Sequence, residues 1–293
     1  MSEKSKRRLI TPKSKRYLIA IVVLMAIALL VFAEVVRPNQ DAKSYTKRLE
    51  SASEPLDSCF RDLAETTQQD IFYAPDIDLV VKQKNVKSIQ DHIAACRIEL
   101  GKFNSTAHEL LALHFAGYTK TYREAQLNQH HAFNIVSQSE DVMDQYGNMA
   151  DFLSQYYANL GGFLNTFDAL NKAQDSNTLS NANRKVSNQA ASLRANAKAI
   201  RALKAPTGLA DAQNSTATMI EQAATGFENL ARGLDGYSDT YQNLGYKQID
   251  AALETYDKSV IGKPYEVLKN SYVLKQINAL PAKVENLLAG ETE

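Results

Sequence analysis

The strongest constraint on this chain is the run YLIAIVVLMAIALLVFA, residues 17–33, seventeen positions without a charge. Backbone polar groups have no water to bond in lipid, so such a run folds there as a helix. At 1.5 Å per residue it covers about 25 Å, and Val35 and Val36 carry it to the roughly 30 Å hydrocarbon layer once Glu34 reaches for the headgroups. Lys4, Lys6, Arg7, Arg8, Lys13, Lys15 and Arg16 precede the span, whereas only Arg37, Lys43, Lys47 and Arg48 follow closely. This asymmetry is a topology signal: it predicts a single-pass cell-membrane protein with its N-terminus in the cytoplasm and its C-terminus outside. The alternative is secretion after cleavage following Ala33, since Val31-Phe32-Ala33 resembles a signal-peptidase site. The run exceeds the usual apolar region of a signal peptide, about 7–15 residues, which favours the anchor. No Cys stands at a lipid-box position behind the span, and the AGETE end has no LPxTG-type sorting signal.

The rest of the chain reads as helix. The 33 basic and 33 acidic residues cancel, but the basic head, residues 1–16, leaves a mildly acidic body behind it. With 12 Gly and 7 Pro in 293 residues, there are too few turn formers for an all-β protein, which needs a turn about every ten residues. Apolar residues recur instead at steps of three and four, the spacing of packed helices and coiled coils. One run is Val86, Ile89, Ile93, Cys96, Leu100, Phe103, Ala107, Leu110. A second is Val142, Tyr146, Met149, Leu153, Tyr156, Leu160, Phe163, Phe167, Leu170, and a third is Ile220, Ala223, Phe227, Leu230, Leu234, Tyr237, Tyr241, Leu244. At 44% apolar content about one such run arises by chance, and three non-overlapping runs do not. The aromatic members of these stripes are expected in the core.

Punctuation sets the expected boundaries. Pro55 marks the first turn of a helix whose apolar face is Leu56, Cys59, Phe60 and Leu63. Thr106 and Glu109 have capping-box spacing, which predicts a break and restart after Gly101. The polar stretch Asn171 to Ser180 divides two helical subdomains, and the weaker stripe from Leu179 to Leu203 ends at the turn Ala205-Pro206-Thr207-Gly208. Gly245 and Gly262-Lys263-Pro264 leave short final helices near 246–261 and 265–289. The expected fold is therefore all-α: an N-terminal single transmembrane helix followed by an elongated antiparallel helical-bundle ectodomain. Its parts are a cytoplasmic basic head (1–16), the anchor (17–36), a juxtamembrane helix or linker (37–54), a first bundle with a Cys-linked hairpin (55–175) and a second bundle (176–293).

Residues 201–234, RALKAPTGLADAQNSTATMIEQAATGFENLARGL, carry Leu203, Pro206 and Leu209 in a helix, Leu-x-x-Pro turn, helix arrangement. This segment resembles uncharacterised bacterial envelope-anchored or exported helical-bundle proteins. The resemblance covers about a fifth of the chain and implies a cell-envelope helical bundle, with no catalytic residues to carry over.

Cys59 and Cys96 lie equidistant from the middle of the connector Ile71 to Lys84, on apolar stripes that face each other in an antiparallel hairpin. They are expected to come within reach and, outside the cytoplasm, to form a disulfide; the alternative is two buried thiols. Neither sits in a Cys-x-x-Cys setting, so a redox-active pair is not expected. The connector itself is unusually apolar for a loop. Phe72, Tyr73, Ile77 and Leu79 either fold back on the bundle or present a docking patch at the hairpin tip, and they are the candidate contact for a protein partner.

No other constellation points to chemistry. His108 and His114 are six apart, about 120° around a helix, and His130 and His131 are adjacent, so neither pair suits a metal on one helical face. No G-x-S-x-G, Walker-type or dinucleotide-binding glycine pattern occurs. The expectation is a non-enzyme without cofactor or metal, whose partners are the lipid bilayer and an envelope protein and not nucleic acid; its oligomeric state is open. It would act as an interaction or scaffold module of the cell envelope. The alternative is a ligand-sensing or solute-binding ectodomain working through a separate signalling partner, which requires a polar cavity between helices, with Gly161, Gly162 and tyrosines as plausible lining.

Overall fold

A computed structural model of the chain describes residues 12–68, 78–109, 115–173, 179–256, 267 and 270–289, with side chains left aside at 12–16, 168–181, 288 and 289. The described residues are helical throughout and contain no strand. The apolar run forms α1 (Pro12–Val31). It is long and apolar enough to cross a membrane, and its large side chains from Tyr17 to Phe32 are left uncovered by the rest of the chain. α1 passes into α2 (Arg37–Gln68) without a loop. Pro38 has no N–H for the carbonyl four residues back, and the helix widens there into a π turn, Phe32–Val36, in which the Arg37 N–H bonds the Phe32 carbonyl.

α2 is followed by α3 (Leu79–Ala107), a 3₁₀ turn (Phe115–Tyr118), and α4 (Lys120–Ala173). At 54 residues α4 is about 81 Å long. It packs with α2, α3 and α8 (Tyr272–Ala289), and its contact with α3 runs past its middle as far as Gly161, which lies beside Leu79. Its second half carries α5 (Leu179–Ala202), and on α5 packs α6 (Ala210–Asp235), and on α6 α7 (Asp239–Thr255). Bonds between helices give the directions. α2 runs parallel to α4, with Asn39 bonded to Thr119 and Thr67 to Tyr146. α3 runs against α4, with Arg97 on Asp144 and Gln90 on Asp151.

Within the described residues the heptad spacing of the first two runs becomes core, with Phe167 half-buried, while Leu110 and the side chain of Leu170 lie outside what the structure describes. Val86, Ile89, Ile93, Cys96, Leu100, Phe103 and Ala107 are all buried, as are Val142, Tyr146, Met149, Leu153, Tyr156, Leu160 and Phe163. α4 passes through Gly161 and Gly162 unbroken; a Cβ at Gly162 would stand 2.8 Å from Asn196 Nδ2, whereas one at Gly161 would make ordinary 3.6 Å contacts with Leu79 and Gln83. Two buried or half-buried glutamines finish helices that lack a glycine cap. Gln129 Nε2 donates to the carbonyls of Ala107 and Glu109, both at 3.0 Å, and Gln213 Nε2 to those of Ile200 and Leu203, both at 2.6 Å. These bonds satisfy carbonyls that a helix end leaves without an internal partner.

Several boundaries differ from those the sequence suggests, each for a physical reason. Pro55 lies inside α2. It sits on the exposed face, where water can take the carbonyl it leaves unbonded, while Leu49, Leu56, Phe60 and Leu63 continue one buried stripe across it. α3 continues through Gly101 to Ala107, and Thr106 does not cap a new helix: its hydroxyl bonds back to the Lys102 carbonyl, while Glu109 pairs with Arg48. The third run stops early. Ile220, Ala223, Phe227 and Leu230 are buried, but Tyr237, Tyr241 and Leu244 are exposed, because the chain turns at Gly236 and Tyr237 (φ +48) and α7 restarts in a different phase. Gly245, Ile249 and Ala252 are the α7 residues buried. Gly245 lies inside α7, which starts at Asp239 instead of near 246, and α8 spans Tyr272–Ala289; positions 257–261, 265, 266, 268 and 269 of the expected ranges 246–261 and 265–289 lie outside the described residues. α8 packs chiefly on α2 and α4, burying Leu274, Ile277, Leu280 and Val284.

Candidate functional site

A polar concavity lies between α2, α4 and α8, near the end of α2 that joins α1. It is a groove of about 840 Å³. Helical spacing builds it: Lys43, Lys47 and Glu50 recur on one face of α2, Glu124, Asn128, His131, Ile135 and Gln138 on one face of α4, and Lys283, Asn286 and Leu287 on α8. Lys283 Nζ donates to Gln138 Oε1 at 2.7 Å. His131 Nε2 is buried without a hydrogen-bond partner among the described residues. With three lysines against two carboxylates, the groove can hold the oxygen atoms of a polar or anionic molecule. Nothing in the linear order reveals it, because its third wall depends on α8 returning to α2.

A second groove, about 810 Å³, lies where the α5–α6 turn meets α4 and the start of α8. Leu203, Pro206 and Leu209, the residues of the helix, Leu-x-x-Pro turn, helix pattern, line it with Met149, Phe152 and Tyr272. Gly208 makes the turn there at φ +87, a conformation that suits glycine.

Two buried phenols are spent on structure. Tyr146 shares a 2.9 Å hydrogen bond with Thr67, and Tyr156 a 2.6 Å bond with Thr216. Burial pushes the Tyr156 phenol up to about 12, and burial, then the neighbouring Tyr156, raises Tyr157 further. Burial also lifts Tyr45 to about 12, with Glu109 adding to the rise and Arg48 opposing it. These phenols are neutral donors at physiological pH, not bases. The sign for stability follows. A phenol whose folded pKa exceeds 10 binds its proton more tightly when folded, so its contribution is complete below pH 10 and is lost as pH rises toward 12. For Tyr156 alone the loss is about 3 kcal/mol. Urea unfolding at pH 8 and pH 11.5 should show it, with phenolate absorbance lagging behind that of the exposed tyrosines; equal stability at the two pH values would contradict it.

Cys59 and Cys96 stand at disulfide distance, their sulfurs 2.13 Å and their Cα atoms 5.5 Å apart. Phe72, Tyr73 and Ile77 lie outside the described residues, as do Lys4, Lys6, Arg7 and Arg8. Lys13, Lys15 and Arg16 fall in α1. Leu79 opens α3, half-buried against the core, with Val80 and Val81 exposed beside it. One turn on, Lys82 is buried with its ammonium 5.9 Å from the centre of the Tyr157 ring. Gly161 and Gly162 are half-buried and line neither groove. The His108 ring lies tilted against Phe133, with ring centres 4.8 Å apart, and no group of three His, Cys, Asp or Glu side chains suited to a metal occurs among the described residues.

Comparison with protein-family models, curated proteins and solved structures finds no match. The reading of function therefore rests on the chain's own residues.

Proposed function

We propose that this chain is a membrane-anchored, extracytoplasmic helical protein that serves as an interaction or scaffold module of the cell envelope. One observation carries the reading: α1 exposes apolar side chains all around for its whole length from Tyr17 and continues as a single helix into the packed body. A helix hydrophobic on every side and uncovered by protein is stable in lipid. The seven basic residues before it favour a cytoplasmic N-terminus, which puts the elongated antiparallel bundle and its disulfide on the oxidising side.

Two measurements on intact cells test this. The chain should stay in the membrane pellet through an alkaline wash, and protease added outside should digest the region beyond α1. Digestion only after lysis would reverse the topology; release by the wash would favour cleavage after Ala33. For the partner contact, Phe72→Asp with Val80→Asp should abolish a crosslinked partner while leaving helicity intact. Val80 is chosen over Leu79 because Leu79 packs into the core. An unchanged crosslink pattern would remove the hairpin tip as the docking surface.

The polar groove between α2, α4 and α8 favours a second reading, ligand sensing. Its lysines and half-buried His131 suit an anionic small molecule, and a response would pass through a separate signalling partner.

A further inference from the structure

The connection from α3 to α4 descends to the level where α1 ends. Its 3₁₀ turn, Phe115–Tyr118, packs against the π turn Phe32–Val36, and just above it Thr119 Oγ1 donates to Asn39 Oδ1 at 2.5 Å. Ala116 faces inward and is fully buried. Phe115 and Tyr118 point the other way, 68% and 85% exposed, and Tyr118 is the most exposed of the large hydrophobic side chains among the described residues. From Tyr17 to Val36 a helix rises about 30 Å, the hydrocarbon thickness, so the π turn sits at the far boundary of the bilayer if α1 spans it. The aromatic pair is therefore level with the headgroups.

We propose that this turn is a membrane-contact element: Phe115 and Tyr118 enter the interface between headgroups and acyl chains of the bilayer that holds α1, seating the helical body on the lipid. The inference rests on the anchor reading above. Its occupant is lipid because the turn is continuous with the emerging span, and because aromatic rings with one apolar and one polar end are most stable at that depth. The charges agree. Arg37, Lys120 and Arg123 are exposed around the turn, Lys120 paired with Glu124 at 3.5 Å, and the first turn of α4 holds no acidic residue to complement its positive helix end. Lipid phosphates supply that negative charge. Two contacts, the span and the turn, would then fix the tilt of the body, where a span alone leaves it free to lean.

The chain has no Trp, so a single substitution supplies a clean reporter. Full-length variants Tyr118→Trp, Phe115→Trp, Leu24→Trp and Tyr237→Trp are reconstituted in phosphatidylcholine–phosphatidylglycerol vesicles, with and without bromine on the acyl chains near the glycerol. Leu24 lies within the span and Tyr237 beyond the far end of α6. Tyr118→Trp and Phe115→Trp are expected to lose emission roughly two-fold in brominated vesicles, as interfacial rings do, independent of the ratio of protein to lipid. Tyr237→Trp should be unaffected. Quenching of Leu24→Trp without quenching at 115 and 118 would overturn the proposal and leave the anchor standing. Loss of quenching at Leu24→Trp would remove the anchor and the proposal with it. A blue shift at 118 that grows with protein density and ignores bromine would assign the turn to a second copy or a protein partner, and would likewise overturn it. All four positions are exposed in the folded chain, and matching circular dichroism across the variants excludes misfolding as the cause of either result.

Discussion

Reducing Cys59–Cys96, or replacing the pair by Cys59→Ala with Cys96→Ala, is expected to lower the stability of the full chain by about 4 kcal/mol. The figure is the loop-closure entropy restored to the unfolded chain when a link across 37 residues is removed. The link closes the α2–α3 hairpin between Phe60 and Leu63 on one side and Ile93 and Leu100 on the other, all buried. The native contacts do not need it for their geometry; the unfolded state gains most from its absence. Urea unfolding of detergent-solubilised protein gives the total, and amide exchange in α3 gives the local effect. A change below about 1 kcal/mol would mean that the unfolded chain already keeps the hairpin closed, since that is the state on which the entropy acts.

Gly245→Val is expected to cost about 3 kcal/mol or more, by forcing α6 and α7 apart. Even a Cβ at position 245 would stand 2.6 Å from the Gly226 carbonyl oxygen and 2.7 Å from the Leu230 nitrogen. Both atoms are backbone, so no rotamer can yield. Gly226 meets the same contact from the other helix, its Cβ position 2.8 Å from the Gly245 oxygen. The close approach lets Asn229 and Gln248 bond across the seam at 2.8 Å. Gly101 provides the opposite sign. It is helical and exposed, with nothing within 4 Å of its Cβ position, so Gly101→Ala should stabilise α3 by roughly 0.5–1 kcal/mol through helix propensity alone. Thermal melts of the two variants beside the parent separate the cases; similar shifts of the same sign would show that the α6–α7 seam can open without cost.

The two glycines look alike in the sequence, and the difference between them shows what tertiary packing adds. Spacing of three and four is a local property, so it survived into the fold wherever one helix continues: Val86 to Ala107 on α3 and Val142 to Phe163 on α4 are core as the periodicity implies. It failed at Tyr237, Tyr241 and Leu244, where the stripe crosses a helix break and the residues after it belong to a new phase. The Cys pair was legible because both cysteines sit at equal distances from a turn, and a hairpin turns sequence symmetry into proximity. The groove of Lys43, His131 and Lys283 was not, since its three walls come from helices far apart in the chain.

The sequence alone determined that this protein is helical, that one helix is apolar on every side, and which faces of α3 and α4 are buried, because each depends only on residues within a few turns of one another. Only the tertiary structure decided that α4 runs through two groups of helices, that α8 returns to α2, and that Phe115 and Tyr118 sit beside the end of α1. Those are choices among partners for apolar faces. Burial stabilises any of them, and shape, glycine contacts and cross-helix hydrogen bonds select one.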